Sequence, residues 1–127
     1  MGAVFSSESS EEKAKKQEMA LEKAKEIASS NPVAVFSKSF CPYCNQVKKL
    51  LTSLGANYKT VELDYETDGS EIQSALHQWT GQRTVPNVFI GGKHIGGCDN
   101  TVALHNQGKL VPLLTEAGAL PAASHSA

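Results

Sequence analysis

Two short runs, VAVFS at 33–37 and YKTVELD at 58–64, bracket one helical segment, and this arrangement restricts the fold more than any other feature. The first run is apolar and rich in β-branched residues, as expected of a strand buried on both faces. In the second, Tyr58, Thr60, Glu62 and Asp64 alternate with Val61 and Leu63, a half-buried strand pattern. Between them Pro42 suits the first turn of a helix, where no N–H is needed. Val47, Leu50, Leu51 and Leu54 then share one face, and Gly55 suits the helix end. Strand, helix and strand in that order require a parallel pair with a right-handed crossover.

The remaining segments build around that unit. Glu11 to Ala28 is rich in good helix formers, with Ala14, Leu21, Ala24 and Ala28 at helical spacing and Ala20 and Ile27 widening the stripe. Pro32 closes this helix, because the residue before a proline is pushed out of the α region. TDGSEIQSALHQWTG reads as a third helix packing through Ile72, Ala75, Leu76 and Trp79, with His77 on the surface and Gly81 at its end. VPNVFI and KHIGG flank Gly91 and Gly92 as a hairpin. DNTVALHNQG follows as a helix capped by Asp99 or Asn100. KLVPLLTEAG is a last short helix with Pro112 near its start. No internal repeat is visible. The expectation is one α/β domain over residues 11–118, a small four-stranded mixed sheet flanked by helices, with an extra N-terminal helix. Residues 1–10 are read as a disordered tail and 119–127 as a flexible one.

Length and charge exclude several classes. A chain of 127 residues suits one domain, and a net charge of −1 favours neither nucleic acid nor an anionic membrane. No apolar run approaches the roughly 18 residues of a membrane span. No secretory signal is expected, since a basic region followed by a long apolar core is missing at the N-terminus. Three cysteines, an odd and low number, point to a reducing, cytoplasmic setting. MGAVFS matches the N-myristoylation pattern, with Gly2 as acceptor and Ser6 in place. The alternative is an unmodified tail, and a single acyl chain gives only weak membrane contact in any case.

SKSFCPYCNQV places Cys41 and Cys44 two residues apart. A structural zinc site needs four ligands. The remaining candidates are Cys98 and the histidines at 77, 94, 105 and 125, and none forms a second pair with finger-like spacing. Haem attachment needs a histidine directly after the second cysteine, where Asn45 stands. A purely structural disulfide would close a tiny loop and constrain the unfolded chain little. The reading left is a redox pair without metal. Cys41 follows a strand and opens a helix, where unpaired N–H groups and the helix dipole favour a thiolate. Lys38 adds positive charge. Cys44, one turn on and more shielded, can attack a mixed disulfide formed on Cys41, and Pro42 stiffens the turn between them.

KSFCPYC, TVPNVFI and GGCD, in this order and spacing, resemble the dithiol CPYC-type glutaredoxins of the thioredoxin superfamily over about residues 20–118. EIQSALHQWTGQRTVPNVFIGGKHIGGCD and GKLVPLLTEAGA look most like plant cytosolic glutaredoxins. The resemblance implies a thioredoxin-like fold and a glutathione-dependent disulfide oxidoreductase. Its substrates would be protein–glutathione mixed disulfides and disulfide-containing proteins. Glutathione would be the reductant, with no tightly bound cofactor, and the chain a monomer engaged in electron transport and deglutathionylation. It implies a cis Val85–Pro86 bond, so that Thr84, Val85 and Pro86 offer an extended edge to the glutathione backbone. Lys38, Gln73 and Arg83 match positions that hold the glycine-end carboxylate. The backbone of Cys98 and Asp99, at a helix start, would meet the γ-glutamyl carboxylate. The Asp99 side chain would take the ammonium or cap its helix, and Tyr43 would flank the sulfur. Cys98 is either a small buried hydrophobe or a modification or dimer-forming site. Some plant glutaredoxins bridge two chains with a [2Fe–2S] cluster, with a small residue where Pro42 stands here. Pro42 counts against such a dimer.

Overall fold

The computed structural model describes residues 9–121. Of the expected tail over 1–10, residues 1–8, with Gly2 and Ser6, lie outside the described residues, as do residues 122–127. The chain runs α1 (Ser10–Ser30), β1 (Val33–Ser37), α2 (Pro42–Ser53), β2 (Lys59–Glu62), α3 (Gly69–Thr80), β3 (Asn87–Ile90), β4 (Lys93–Gly96), α4 (Cys98–Asn106) and α5 (Leu110–Glu116). The strands form one mixed sheet in the order β2-β1-β3-β4. β1 pairs parallel with β2 and antiparallel with β3, so that Val35 faces Thr60 on one side and Val88 on the other. The expected thioredoxin-like arrangement is the one observed.

β1 is buried along its whole length because helices cover both faces. On one face Ala34, Phe36, Val61 and Phe89 meet Ala20, Ala24 and Ala28 of α1 and Ile72, Ala75 and Leu76 of α3. The alanine stripe lets α1 approach closely. Trp79 stacks on Phe89 with ring centroids 5.0 Å apart, and Phe36 meets Phe89 edge-on at 5.8 Å. On the other face Val33, Val35, Val88 and Ile90 pack against Val47 and Leu51 of α2 and Leu110 and Leu114 of α5. The β1–α2 junction thus lies at the end of the most deeply held strand, a rigid mount for the Cys pair.

Several details differ from the sequence reading. α1 begins at Ser10, because Ser9 and Glu12 form a reciprocal capping box, with Glu12 N–H to Ser9 Oγ at 3.0 Å and Ser9 N–H to Glu12 Oε1 at 3.2 Å. Ala14 is exposed rather than part of the buried stripe, since α1 overhangs the sheet there. β2 ends at Glu62, and Leu63 and Asp64 belong to the turn into α3. Ala119 is not a loose tail residue. It is fully buried, its N–H donates to the Leu114 carbonyl at 2.8 Å, and its own carbonyl accepts the Asn57 N–H at 2.8 Å.

The turn between β2 and α3 is tight. A Cβ on Gly69 would sit 1.9 Å from the Leu63 carbonyl oxygen, so any side chain there forces backbone to move. Gly69→Ala is expected to lower stability by about 1–3 kcal/mol, as overpacking does. Urea unfolding checks this, and an unchanged midpoint would contradict the packing described.

Candidate active site

Cys41 is the N-cap of α2. Its backbone is extended (φ −92°, ψ 117°), and its Sγ accepts the Cys44 N–H at 3.1 Å. Serine, aspartate or asparagine ordinarily fills that role; here a sulfur does. Its thiol also faces the Val85 carbonyl, with Sγ and O 3.9 Å apart. The Cys41 N–H donates to the Lys38 carbonyl at 3.1 Å, closing the turn that delivers the sulfur. A second contact steadies this turn from outside. Ser39 donates its N–H to Asp64 Oδ1 at 3.0 Å and its hydroxyl to Asp64 Oδ2. The Ser39 hydroxyl is the main reason the Asp64 carboxyl is held below its ordinary range, and its N–H and the Lys38 charge add to the effect.

The two thiols sit in opposite environments. Cys41 is partly exposed, whereas Cys44 is fully buried under the first turn of α2. Burial, helped by the hydrogen bond with the Cys41 side chain, pushes the Cys44 thiol up to about 11. Cys44 is therefore a reserve thiol, kept protonated beside an accessible partner.

A groove of about 530 Å³ opens beside the pair, lined by Tyr43, Gln82, Thr84, Val85, Pro86, Gly97, Cys98, Asp99 and Asn100. The Val85–Pro86 bond is cis, as the resemblance implied. Tyr43, Thr84, Val85, Pro86, Cys98 and Asp99 are thus brought together. Lys38, Gln73 and Arg83 lie outside the groove lining. Gln73 donates its side-chain amide to the Arg83 carbonyl at 2.9 Å, so it braces the loop that carries Arg83. The N-cap of α4 is Gly97, not Asp99 or Asn100, and Asn100 reaches back with Oδ1 to accept the Gly97 N–H at 3.2 Å. Asp99 is left exposed in the first turn of α4, beside backbone N–H groups that have no partner within a helix. Cys98 is 7% exposed, and burial, with the Asp99 charge behind it, holds its thiol above the usual range.

Three participants escaped the sequence reading: Gln82, Ser39 and Asp64. Gln82 bonds to Thr84 and Pro86, two and four residues on, but these acceptors converge only once the loop has formed, whereas Asp64 acts on a turn remote from it in sequence. Ser39 lies inside the KSFC motif, yet its partner is 25 residues away.

A Cys-x-x-Cys whose first sulfur caps a helix, facing a cis-proline loop at the end of a four-stranded mixed sheet, defines a thiol–disulfide oxidoreductase of the thioredoxin fold. Comparison with known proteins narrows the class. The glutaredoxin family model matches residues 33–95. A glutaredoxin of Ricinus communis is 74% identical over 102 residues, covering 80% of this chain and 100% of the relative. Glutaredoxin-C1 of Arabidopsis thaliana is 61% identical over 122 residues, 94% of each chain. A buckwheat glutaredoxin solved in complex with glutathione superposes with a TM-score of 0.83 at 63% identity, covering 84% of this chain and 97% of that one. The chain belongs to the glutaredoxin family, the glutathione-dependent thiol–disulfide oxidoreductases.

The unequal thiols set an expected labelling pattern. At pH 8 a thiol titrating near 11 is ionised in about one molecule in a thousand, and the thiolate is the form that reacts. Brief iodoacetamide treatment of the reduced protein should give one adduct, on Cys41, with Cys44 silent until the pH nears 11. Peptide mass mapping reads this out, and comparable labelling of both cysteines at pH 8 would contradict it.

Proposed function

We propose that the protein reduces protein–glutathione mixed disulfides and protein disulfides, with Cys41 as nucleophile and Cys44 as resolving thiol. The observation that carries this reading is the Cys44 N–H donated to Cys41 Sγ at 3.1 Å, at the mouth of the groove. A helix start stabilises negative charge on that sulfur in the attacking form and again when it leaves.

In the first step the Cys41 thiolate attacks the glutathione sulfur of the mixed disulfide. The old S–S bond breaks, the protein sulfur leaves as a thiolate and takes a proton, and a Cys41–glutathione disulfide remains. A second glutathione, as thiolate, attacks the glutathione sulfur of that adduct. Oxidised glutathione leaves and the Cys41 thiolate returns. The two electrons that reduce the substrate come from glutathione. With a protein disulfide, Cys41 becomes tethered to one substrate sulfur. Cys44 then loses its proton, attacks Cys41 Sγ and frees the second substrate thiol, leaving a Cys41–Cys44 disulfide that two glutathione molecules reduce. A Cys44 thiol near 11 competes poorly for the glutathione adduct, which favours the external route for mixed disulfides.

In this reading the glutathionyl group lies along Thr84 and Val85, paired with their backbone. Its γ-glutamyl carboxylate meets the N-terminus of α4 at Cys98 and Asp99, and Asp99 takes the ammonium. Lys38 and Arg83, at the outer end, attract the glycine carboxylate, with Gln73 bracing Arg83. Tyr43, 62% exposed, flanks the sulfur. The glutathione complex of the buckwheat relative supports this assignment. We further propose a monomer working in the cytoplasm, a reducing setting that suits three free thiols. Among the described residues no helix is long and apolar enough to cross a membrane.

Two variants separate the steps. Cys41→Ser should abolish both activities. Cys44→Ser should keep deglutathionylation while slowing reduction of an intramolecular protein disulfide by at least about tenfold, because a tethered resolving thiol acts at high effective concentration. Both activities are measured on one preparation with glutathione reductase and NADPH as the coupled readout. Equal loss of both in Cys44→Ser would remove the two-route mechanism.

A further inference from the structure

Gln82 spends both protons of its side-chain amide on one stretch of backbone. Nε2 donates to the Thr84 carbonyl at 3.0 Å and to the Pro86 carbonyl at 2.9 Å. The two acceptors flank Val85, whose own carbonyl faces Cys41 Sγ. Gln82 is fixed in turn from behind. Its N–H donates to Thr80 Oγ1 at 3.1 Å, and that hydroxyl donates to the Leu76 carbonyl at 2.7 Å inside α3. On its far side lies Gly97, where a Cβ would come within 3.7 Å of Gln82 Nε2 and 3.5 Å of the Pro86 oxygen. One residue therefore ties the end of α3, through its backbone, to the edge at 84–86, through its side chain, with Gly97 alongside.

We propose that Gln82 is a positioning residue that presets the backbone edge for the glutathionyl group. The inference rests on the assignment of the groove to glutathione made above. An edge that pairs with a peptide ligand binds best when its backbone is already ordered, since ordering it at the moment of binding reduces affinity. Gln82 supplies that order through two donated hydrogen bonds, and it does so without touching the reacting sulfur. Its removal should weaken recognition of the glutathionyl group and leave the chemistry at Cys41 alone.

Gln82→Met tests this, because methionine keeps the length and bulk and removes the donors. The variant is compared with wild type in three measurements: amide hydrogen exchange from Thr84 to Val88 in the glutathione-free protein, steady-state kinetics with a glutathionylated substrate, and the Cys41 alkylation rate. The expected result is exchange faster by about tenfold across the segment. KM should rise by about tenfold, the scale of one lost hydrogen bond, with kcat within about twofold and alkylation as in wild type. Unchanged exchange would overturn the positioning role, and a raised KM beside it would make Gln82 a direct ligand contact instead. Faster exchange with an unchanged KM would overturn the assignment of the groove to glutathione, and the proposed consequence with it.

Discussion

The site depends on a sulfur standing where a helix normally takes an oxygen. Cys41 Sγ accepts the Cys44 N–H at 3.1 Å, so the proposed nucleophile and the helix cap are one atom. Charge on that atom is favoured by the local field of the unpaired amides, a contribution confined to the first turn. The sulfur cannot drift from that position without uncapping α2. Cys44 supplies the N–H that holds the Cys41 sulfur, and it hides its own sulfur in the core beneath it. One short motif thus creates both an exposed, stabilised sulfur and a buried, protonated one.

The rest of the fold keeps that cap aimed. β1 enters the turn from the centre of the sheet, buried on both faces, and the turn is tied sideways to Asp64 through Ser39. On the opposite wall Gln82 holds the edge around Val85 through the Thr84 and Pro86 carbonyls. Two loops from distant parts of the sequence therefore meet at one end of the sheet, each braced by a polar side chain, Asp64 for one and Gln82 for the other. The Lys48–Glu62 pair at 2.6 Å adds a further tie between α2 and β2, both partners about one-fifth exposed.

Much of this was legible in the chain itself. The β-branched run at 33–37, the Pro42 helix start and the Gly91–Gly92 hairpin each have a local physical cause, so order and type of elements followed from pattern. The Cys pair announced redox chemistry because its neighbours failed every alternative. What escaped depends on how the backbone settles, over short as well as long sequence separations. The cap of α4 passed to Gly97 because Asn100 folds back on its N–H, which no propensity scale encodes. Ala119 became core because its carbonyl meets Asn57 across the domain. Gln82 looked like an ordinary polar loop residue, since its two acceptors converge only once the loop has formed. Gln73, matched through family resemblance to a ligand contact, also donates its amide to the Arg83 carbonyl, a tie that the sequence does not announce.

The proposed mechanism places a glutathionyl group between Cys41, the Val85 edge and the start of α4. The most direct test is backbone amide NMR on the Cys41–glutathione disulfide, trapped in the Cys44→Ser variant and compared with the same variant reduced. Large shifts are expected at Val85, Cys98 and Asp99 together with those near Cys41, with little change in α1 or α5. Shifts confined to residues 38–45, with Val85, Cys98 and Asp99 unmoved, would contradict it.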